Sequence, residues 1–302
     1  LNRLPLFPDT TEIQDDTLTI AGQSLDSLAD DYGTPLYLYD CATMAYVIPF
    51  MIQTSLERVL FYLTEHINAG NPVFSSGIKL FDFFYPIWRA VIFVAGAALI
   101  VTSQEIRKGS EWTYPLAMSL FSLPAIGGMF MFLPYISFVL GFPLPMTISW
   151  IGLAGFWSFI FLRKAEKIVK WTRFAALTFL GMLATHAFTI GVGAQRTMWT
   201  RPDYPFYKDL SWWIFNWVGE ANWVAVILIF LSIPLLSVGK RKGWWLAVTG
   251  AIAILMINIP TQFIRTKTLD YLYGSLLAIG VLIFTMVPFL KKHLLSNEAK
   301  ED

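Results

Sequence analysis

The chain has 302 residues, of which 56% are hydrophobic and 14% charged, with a mean hydropathy of +0.56 and a formal net charge of +1. An average soluble domain carries about 25% charged residues, so a water-soluble fold of this length has too little polar surface to cover so much apolar side chain. The single cysteine, Cys41, excludes an internal disulfide and a CxxC motif, the three histidines (His66, His186, His293) stand too far apart for an HxxxH pair, and the charge balance points to no nucleic-acid partner.

In chain order, residues 1–44 differ from the rest. They carry eight acids (Asp9, Glu12, Asp15, Asp16, Asp26, Asp30, Asp31, Asp40) against Arg3 alone, the mark of a short soluble segment. Residues 17–20 read as a strand, 24–31 as a short helix and 35–39 as a second strand.

The run SLDSLADDYGTPLYLYDCATM, residues 24–44, resembles the lead-in to the barrel of the fold-type III pyridoxal-phosphate decarboxylases, diaminopimelate decarboxylase in particular, where a helix is followed by the phrase GTPLYVYD. Gly33, Thr34, Pro35, Leu36, Tyr37, Tyr39 and Asp40 match that phrase. The resemblance implies a cofactor lysine in a strand resembling YAxKAN, and then a barrel to hold the phosphate. Beyond Met44 neither follows, and the nearest lysine, Lys79 in GIKLFDFF, does not fit. No catalytic residue and no cofactor are therefore carried over. Met44 reads as a seam between a decarboxylase-like fragment and an unrelated membrane protein.

Residues 45–68 are helical in composition, but Glu57, Arg58, Glu65 and His66 interrupt them. The apolar run before Glu57 is too short for the roughly 30 Å hydrocarbon core, so this stretch is expected to lie at the membrane surface, with a crossing as the alternative. With the following loop it forms a unit over 45–76. The remainder, 77–302, is expected to be an all-α polytopic bundle of about seven transmembrane helices. The spans are 86–101, 115–140, 146–162, 172–194, 221–238, 243–263 and 272–290, each near the roughly 20 apolar residues a crossing needs.

The connectors alternate in charge. Five cations lie in RKAEKIVKWTR (163–173), and with Arg107, Lys108, Lys240, Arg241, Lys242, Lys291, Lys292 and Lys300 they make thirteen on one side. Only Arg196, Arg201, Lys208, Arg265 and Lys267 fall on the other. By the positive-inside rule the first set faces the cytoplasm of a cell-membrane protein, with the C-terminus inside and the N-terminal region outside. Trp199, Trp212, Trp213, Trp217 and Trp223 mark outer ends of spans, and Trp171, Trp244 and Trp245 inner ends. The second half of the outer loop 195–220 is expected to form an interfacial helix that caps the bundle.

Two spans carry packing signals. Gly181, Thr185, Thr189 and Gly193, four apart, suggest a helix interface in the fourth. Pro124 and Pro134 predict a kink in the second, with carbonyls freed at Leu120 and Phe130.

Polar groups in hydrocarbon are costly and so are the first site candidates. Asn258, Gln262 and Arg265 share one face of the sixth span. His186 lies about 20 Å along the fourth span from Arg173, in its outer half. Arg89, Glu220 and Asp270 lie near outer ends. Together these seven residues predict an outward-facing polar pocket for a small anionic molecule or a lipid headgroup, bound or transported. Arg89 and Arg265 would hold the anion, and the two amides would direct hydrogen bonds. The alternative roles are interfacial ion pairs and interhelical contacts in a structural or accessory subunit of a membrane complex. No metal or enzyme motif appears in the spans, so the chain does not read as an enzyme and a membrane-embedded enzyme ranks third.

Overall fold

The computed structural model describes residues 11–14, 17–20, 23–24, 27, 43–199 and 210–296. The strands β1 (Thr11–Gln14), β2 (Thr17–Ile20) and β3 (Gln23–Ser24) pair in that order as a small antiparallel meander, with Thr11 opposite Ile20 and Thr19 opposite Ser24. The strand expected at 17–20 is β2. The strand expected at 35–39, most of the helix expected at 24–31 and the decarboxylase-like phrase at 33–40 lie outside the described residues.

The rest is an all-α bundle. Its helices are α1 (Ile48–Asn68), α2 (Ser75–Arg107), α3 (Thr113–Phe138), α4 (Leu144–Leu162), α5 (Lys167–Trp199), α6 (Leu210–Ser237), α7 (Arg241–Ile264), α8 (Asp270–Met286) and α9 (Pro288–Leu294). Among the described residues six helices, α2 to α7, are long and apolar enough to cross a membrane, and the pair α8 and α9 makes a seventh if counted as one span. That pair is bent by 78°. Val287 precedes Pro288, whose ring drives it out of the helical region to φ −63°, ψ 122°, so the last expected span stops at Met286 and the chain turns aside.

Two further bounds differ from expectation. α2 begins at Ser75 and runs through Lys79, Asp82 and Pro86, which puts Arg89 well inside the helix and not at its outer end. The tryptophan-rich stretch from Leu210 is the first part of α6 and not a separate capping helix.

The connectors sort to opposite ends. At one end Arg163 Nη1 reaches the Ser237 carbonyl at 3.4 Å, and its guanidinium lies 4.3 Å from the Tyr114 ring. Arg173 Nη2 donates to the Ser296 carbonyl at 2.6 Å, and Lys291 Nζ lies 3.7 Å from the Trp244 ring. At the other end Arg196 Nε donates to Ser76 Oγ at 3.4 Å.

α1 departs most from expectation. It runs lengthwise and antiparallel to α2: a Cβ on Gly96 would meet the Ala45 backbone, and one on Gly77 would meet the Leu63 side chain. Its interior face is Ile48, Ile52, Leu56, Val59 and Leu63. Of its polar residues, Gln53 and Arg58 bond to neighbouring helices, and Glu57 bonds within α1. Arg89 Nη1 donates to Gln53 Oε1, Gln53 Nε2 to Glu57 Oε1, and Arg58 Nη1 to Tyr135 Oη.

Lipid tails are as apolar as leucine, so helices in a bilayer are held by close packing. α3 and α4 show this at reciprocal glycines: a Cβ on Gly128 would fall 2.5 Å from Ser149 N, and one on Gly152 would overlap the Ala125 backbone. Ser149 Oγ then donates to the Ala125 carbonyl at 2.8 Å, and Tyr85 Oη to the Met131 carbonyl at 3.0 Å. The carbonyls that accept from neighbouring helices here are those of Ala125 and Met131. On α5, Thr185 and Thr189 bond back to Gly181 and Thr185 of their own helix, and a Cβ on Gly181 or Gly193 meets nothing within 4 Å. We expect Gly152→Leu to lower the thermal stability of the detergent-solubilised protein well below that of Gly181→Leu. Equal shifts in a melting curve would mean that the α3 and α4 contact is not a close one.

Candidate functional site

α5 to α8 bring four residues together inside the bundle. Asn222 of α6 and Asn258 of α7 are fully buried. Asn222 Nδ2 donates to the Val218 carbonyl at 2.8 Å and to Asn258 Oδ1 at 3.0 Å. Since both acceptors are oxygens, these bonds set which way each amide faces: the Asn258 NH2 turns toward α8. There Gly274 leaves a slot. A Cβ at that position would lie 2.5 Å from Asn258 Nδ2 and 3.0 Å from His186 Nδ1 of α5. Among the described residues Asn258 Nδ2, Asn222 Oδ1 and His186 Nδ1 are all buried without a hydrogen-bond partner. The amide donor and the imidazole nitrogen therefore face one narrow gap.

The other expected site residues lie elsewhere. Gln262 secures the turn between α7 and α8: Nε2 donates to the Thr268 carbonyl at 2.7 Å and the Arg265 carbonyl at 3.3 Å, and Oε1 accepts from Leu272 N at 2.8 Å. The Arg265 guanidinium lies 4.4 Å from the Phe215 ring centroid. Asp270 is exposed in the first turn of α8, where its charge complements the helix dipole. Glu220 is exposed on α6 and accepts from Asn216 Nδ2 at 3.2 Å, and Arg89 faces Gln53 across the bundle. Asn258 and His186 share the Gly274 slot, Gln262, Arg265 and Asp270 belong to one turn, and Glu220 and Arg89 stand apart from both. Asn222 and Gly274 were missing from the expected set. Asn222 carried a readable signal, an amide just inside a predicted span.

An apolar groove of about 520 Å³ lies between α2 and α6. The two helices meet through stacked Phe84 and Trp223, with ring centroids 5.3 Å apart and planes at 24°. Phe188 of α5 forms the floor, edge-on to Phe84, Trp88, Phe130 and Trp223 at 4.6 to 5.6 Å. Glycines seat the two indoles: a Cβ on Gly127 would touch the Trp88 ring at 2.5 Å, and one on Gly191 the Trp223 ring at 2.6 Å. Phe83, Ile87 and Val91 rim one side and Ile227 the other, and Gln195 is the polar residue at one end. No described element covers it. A second cleft, of about 470 Å³, lies between α1 and the end of α3 and is lined by Thr54, Glu57, Arg58 and Val139 among others. Among the described residues, no group of three or more His, Cys, Asp or Glu side chains is placed to hold a metal ion.

Comparison with protein-family models, curated proteins and solved structures finds no match. What can be said of the site rests on its geometry.

The Asn222 and Asn258 pair is expected to act as a unit. Leucine substitutions made singly and together should give a coupling energy of about 0.6 to 1.7 kcal/mol, the range for polar pairs within membranes. Gly274→Ala should destabilise in the same assay, reversible unfolding in bicelles, because its methyl occupies the slot. Strict additivity of the two asparagine changes would show that the bond between them contributes nothing.

Proposed function

We propose that this multi-pass membrane protein binds the hydrocarbon chain of a lipid-type amphiphile in the groove between α2 and α6. One observation carries this reading: an aromatic-floored slot, of a volume within the about 300 to 1,000 Å³ typical of small-molecule sites, stays open along the apolar face of the bundle. Its character supports a flexible chain over a partner helix. Helix interfaces in membranes are built on small residues that let backbones approach, whereas this rim is Phe83, Ile87, Val91 and Ile227. Rigid rings over a glycine-seated floor give a methylene chain many dispersion contacts at little entropic cost.

A second reading, a subunit that docks another membrane protein, has its own support in α5, where the Gly181 and Gly193 positions face open space.

The basic end of the bundle is assigned to the cytoplasm, by the positive-inside rule. α1 starts beside Gly96, in the half of α2 nearer that end, which supports a cytoplasmic position for the segment before Thr43, the reverse of the sequence expectation. Cys41 is the chain's one cysteine, so a membrane-impermeant maleimide should leave intact cells unlabelled and react after permeabilisation. Labelling of Cys41 in intact cells would return that segment to the outside.

A phospholipid carrying a diazirine in its acyl chain tests the groove. It should crosslink to the α2 peptide containing Ile87 in the detergent-purified protein, and Ile87→Trp, which fills the slot from an exposed position, should remove most of that labelling. If labelling at Ile87 merely equals that at lipid-exposed Ile283 of α8, the groove holds only ordinary boundary lipid.

A further inference from the structure

The groove has a polar mouth, and its charges are divided between its two walls. α2 and α6 run in the same direction, so their N-terminal ends lie together at the end of the groove marked by Gln195. On the α2 side Lys79 is exposed one turn before the rim residue Phe83, on the edge that continues to Ile87. Arg196, next to Gln195 on α5, is drawn to the same wall by its bond to buried Ser76. On the α6 side Asn216, Glu220, Trp223 and Ile227 follow at intervals of four, three and four, one helical stripe that ends in the groove. Asn216 Nδ2 orients the exposed Glu220 carboxylate. By helical rise Lys79 and Glu220 stand about 6 Å and about 4.5 Å above the first lining residue of their own helices.

Among the described residues Lys79 and Glu220 make no ion pair, with each other or with any other group. Among the described residues Lys79 on one wall and Glu220 on the other therefore flank the mouth of an apolar slot, each near enough to act on a headgroup whose tail lies inside.

Resting on the lipid reading, we propose that the ligand is a zwitterionic amphiphile with a phosphate and a primary ammonium group, of the phosphoethanolamine class. Lys79 attracts the phosphate, and Glu220 accepts hydrogen bonds from the ammonium. A quaternary ammonium has no N–H to donate, and an anionic glycerol headgroup meets the Glu220 charge with no cation to offset it. The mouth thus discriminates partly by repulsion.

The test uses the full-length protein in nanodiscs, with acyl-diazirine analogues of phosphatidylethanolamine, phosphatidylcholine and phosphatidylglycerol that share one chain composition. Labelling at the Ile87 peptide should favour the ethanolamine lipid about fivefold over each of the others, the discrimination expected of one charge-assisted hydrogen bond at a half-solvated site. Glu220→Gln should bring ethanolamine and choline lipids level while total groove labelling persists, and Glu220→Asp should keep the preference. Glu220→Lys should turn the preference toward the glycerol lipid. An unchanged gel-filtration profile verifies the fold of each variant. If the three lipids label the native groove equally, and Ile87→Trp still removes that labelling, the headgroup inference is wrong and the groove reading stands. If none labels the groove above the Ile283 background, both fail.

Discussion

Inside a bilayer nothing pushes apolar helices together, so a bundle depends on one surface against which the others can pack closely. Here that surface is α5. It touches each of α2 to α4 and α6 to α9, and its buried residues face in several directions: Leu177, Leu180 and Leu183 toward the core, Phe188 toward the aromatic floor. Both features with chemical content hang on it within one turn. His186 closes the polar slot at Gly274, and two residues further Phe188 supports the groove. The aromatic hub and the polar cluster are thus two sides of a single helix, and a rotation of α5 about its axis would disturb both.

The spans, their alternation and the sorting of basic connectors to one end were legible in the sequence, because hydrophobic length and charge asymmetry are properties of single segments. Bounds were less legible. The first span was expected from residue 86, yet α2 extends past Asp82 and Lys79 to Ser75 as an uninterrupted helix. α1 misled for a different reason. Its polar residues at 53 and 58 count against membrane depth only if they lack partners, and Arg89 and Tyr135, far away in sequence, supply them. The break before Pro288 was readable from local sterics alone, since a residue preceding proline avoids helical geometry.

For the site, helical rise put His186 in the outer half of its span, and the fold brings it to Asn258 at Gly274. Face counting grouped Gln262 and Arg265 with Asn258, but a stripe on one helix says nothing of which neighbour each residue meets. Gln262 spends its amide on the α7 to α8 turn, and Arg265 lies over Phe215. The groove was not legible at all. Phe83, Ile87 and Val91 have the spacing of any lipid-facing stripe, and only the separation of α2 from α6 turns that stripe into a wall.

The shared slot at Gly274 has a consequence for how the chain is made. Segments leave the ribosome in order, so α5 enters the bilayer before α7 and α8 exist. Until Asn258 and Gly274 arrive, the imidazole of His186 has neither its amide neighbour nor the helix that screens it, and an isolated polar ring in hydrocarbon is costly. At the nascent five-helix stage that cost is unrelieved, so a substitution at position 186 bears on insertion as well as on the finished bundle.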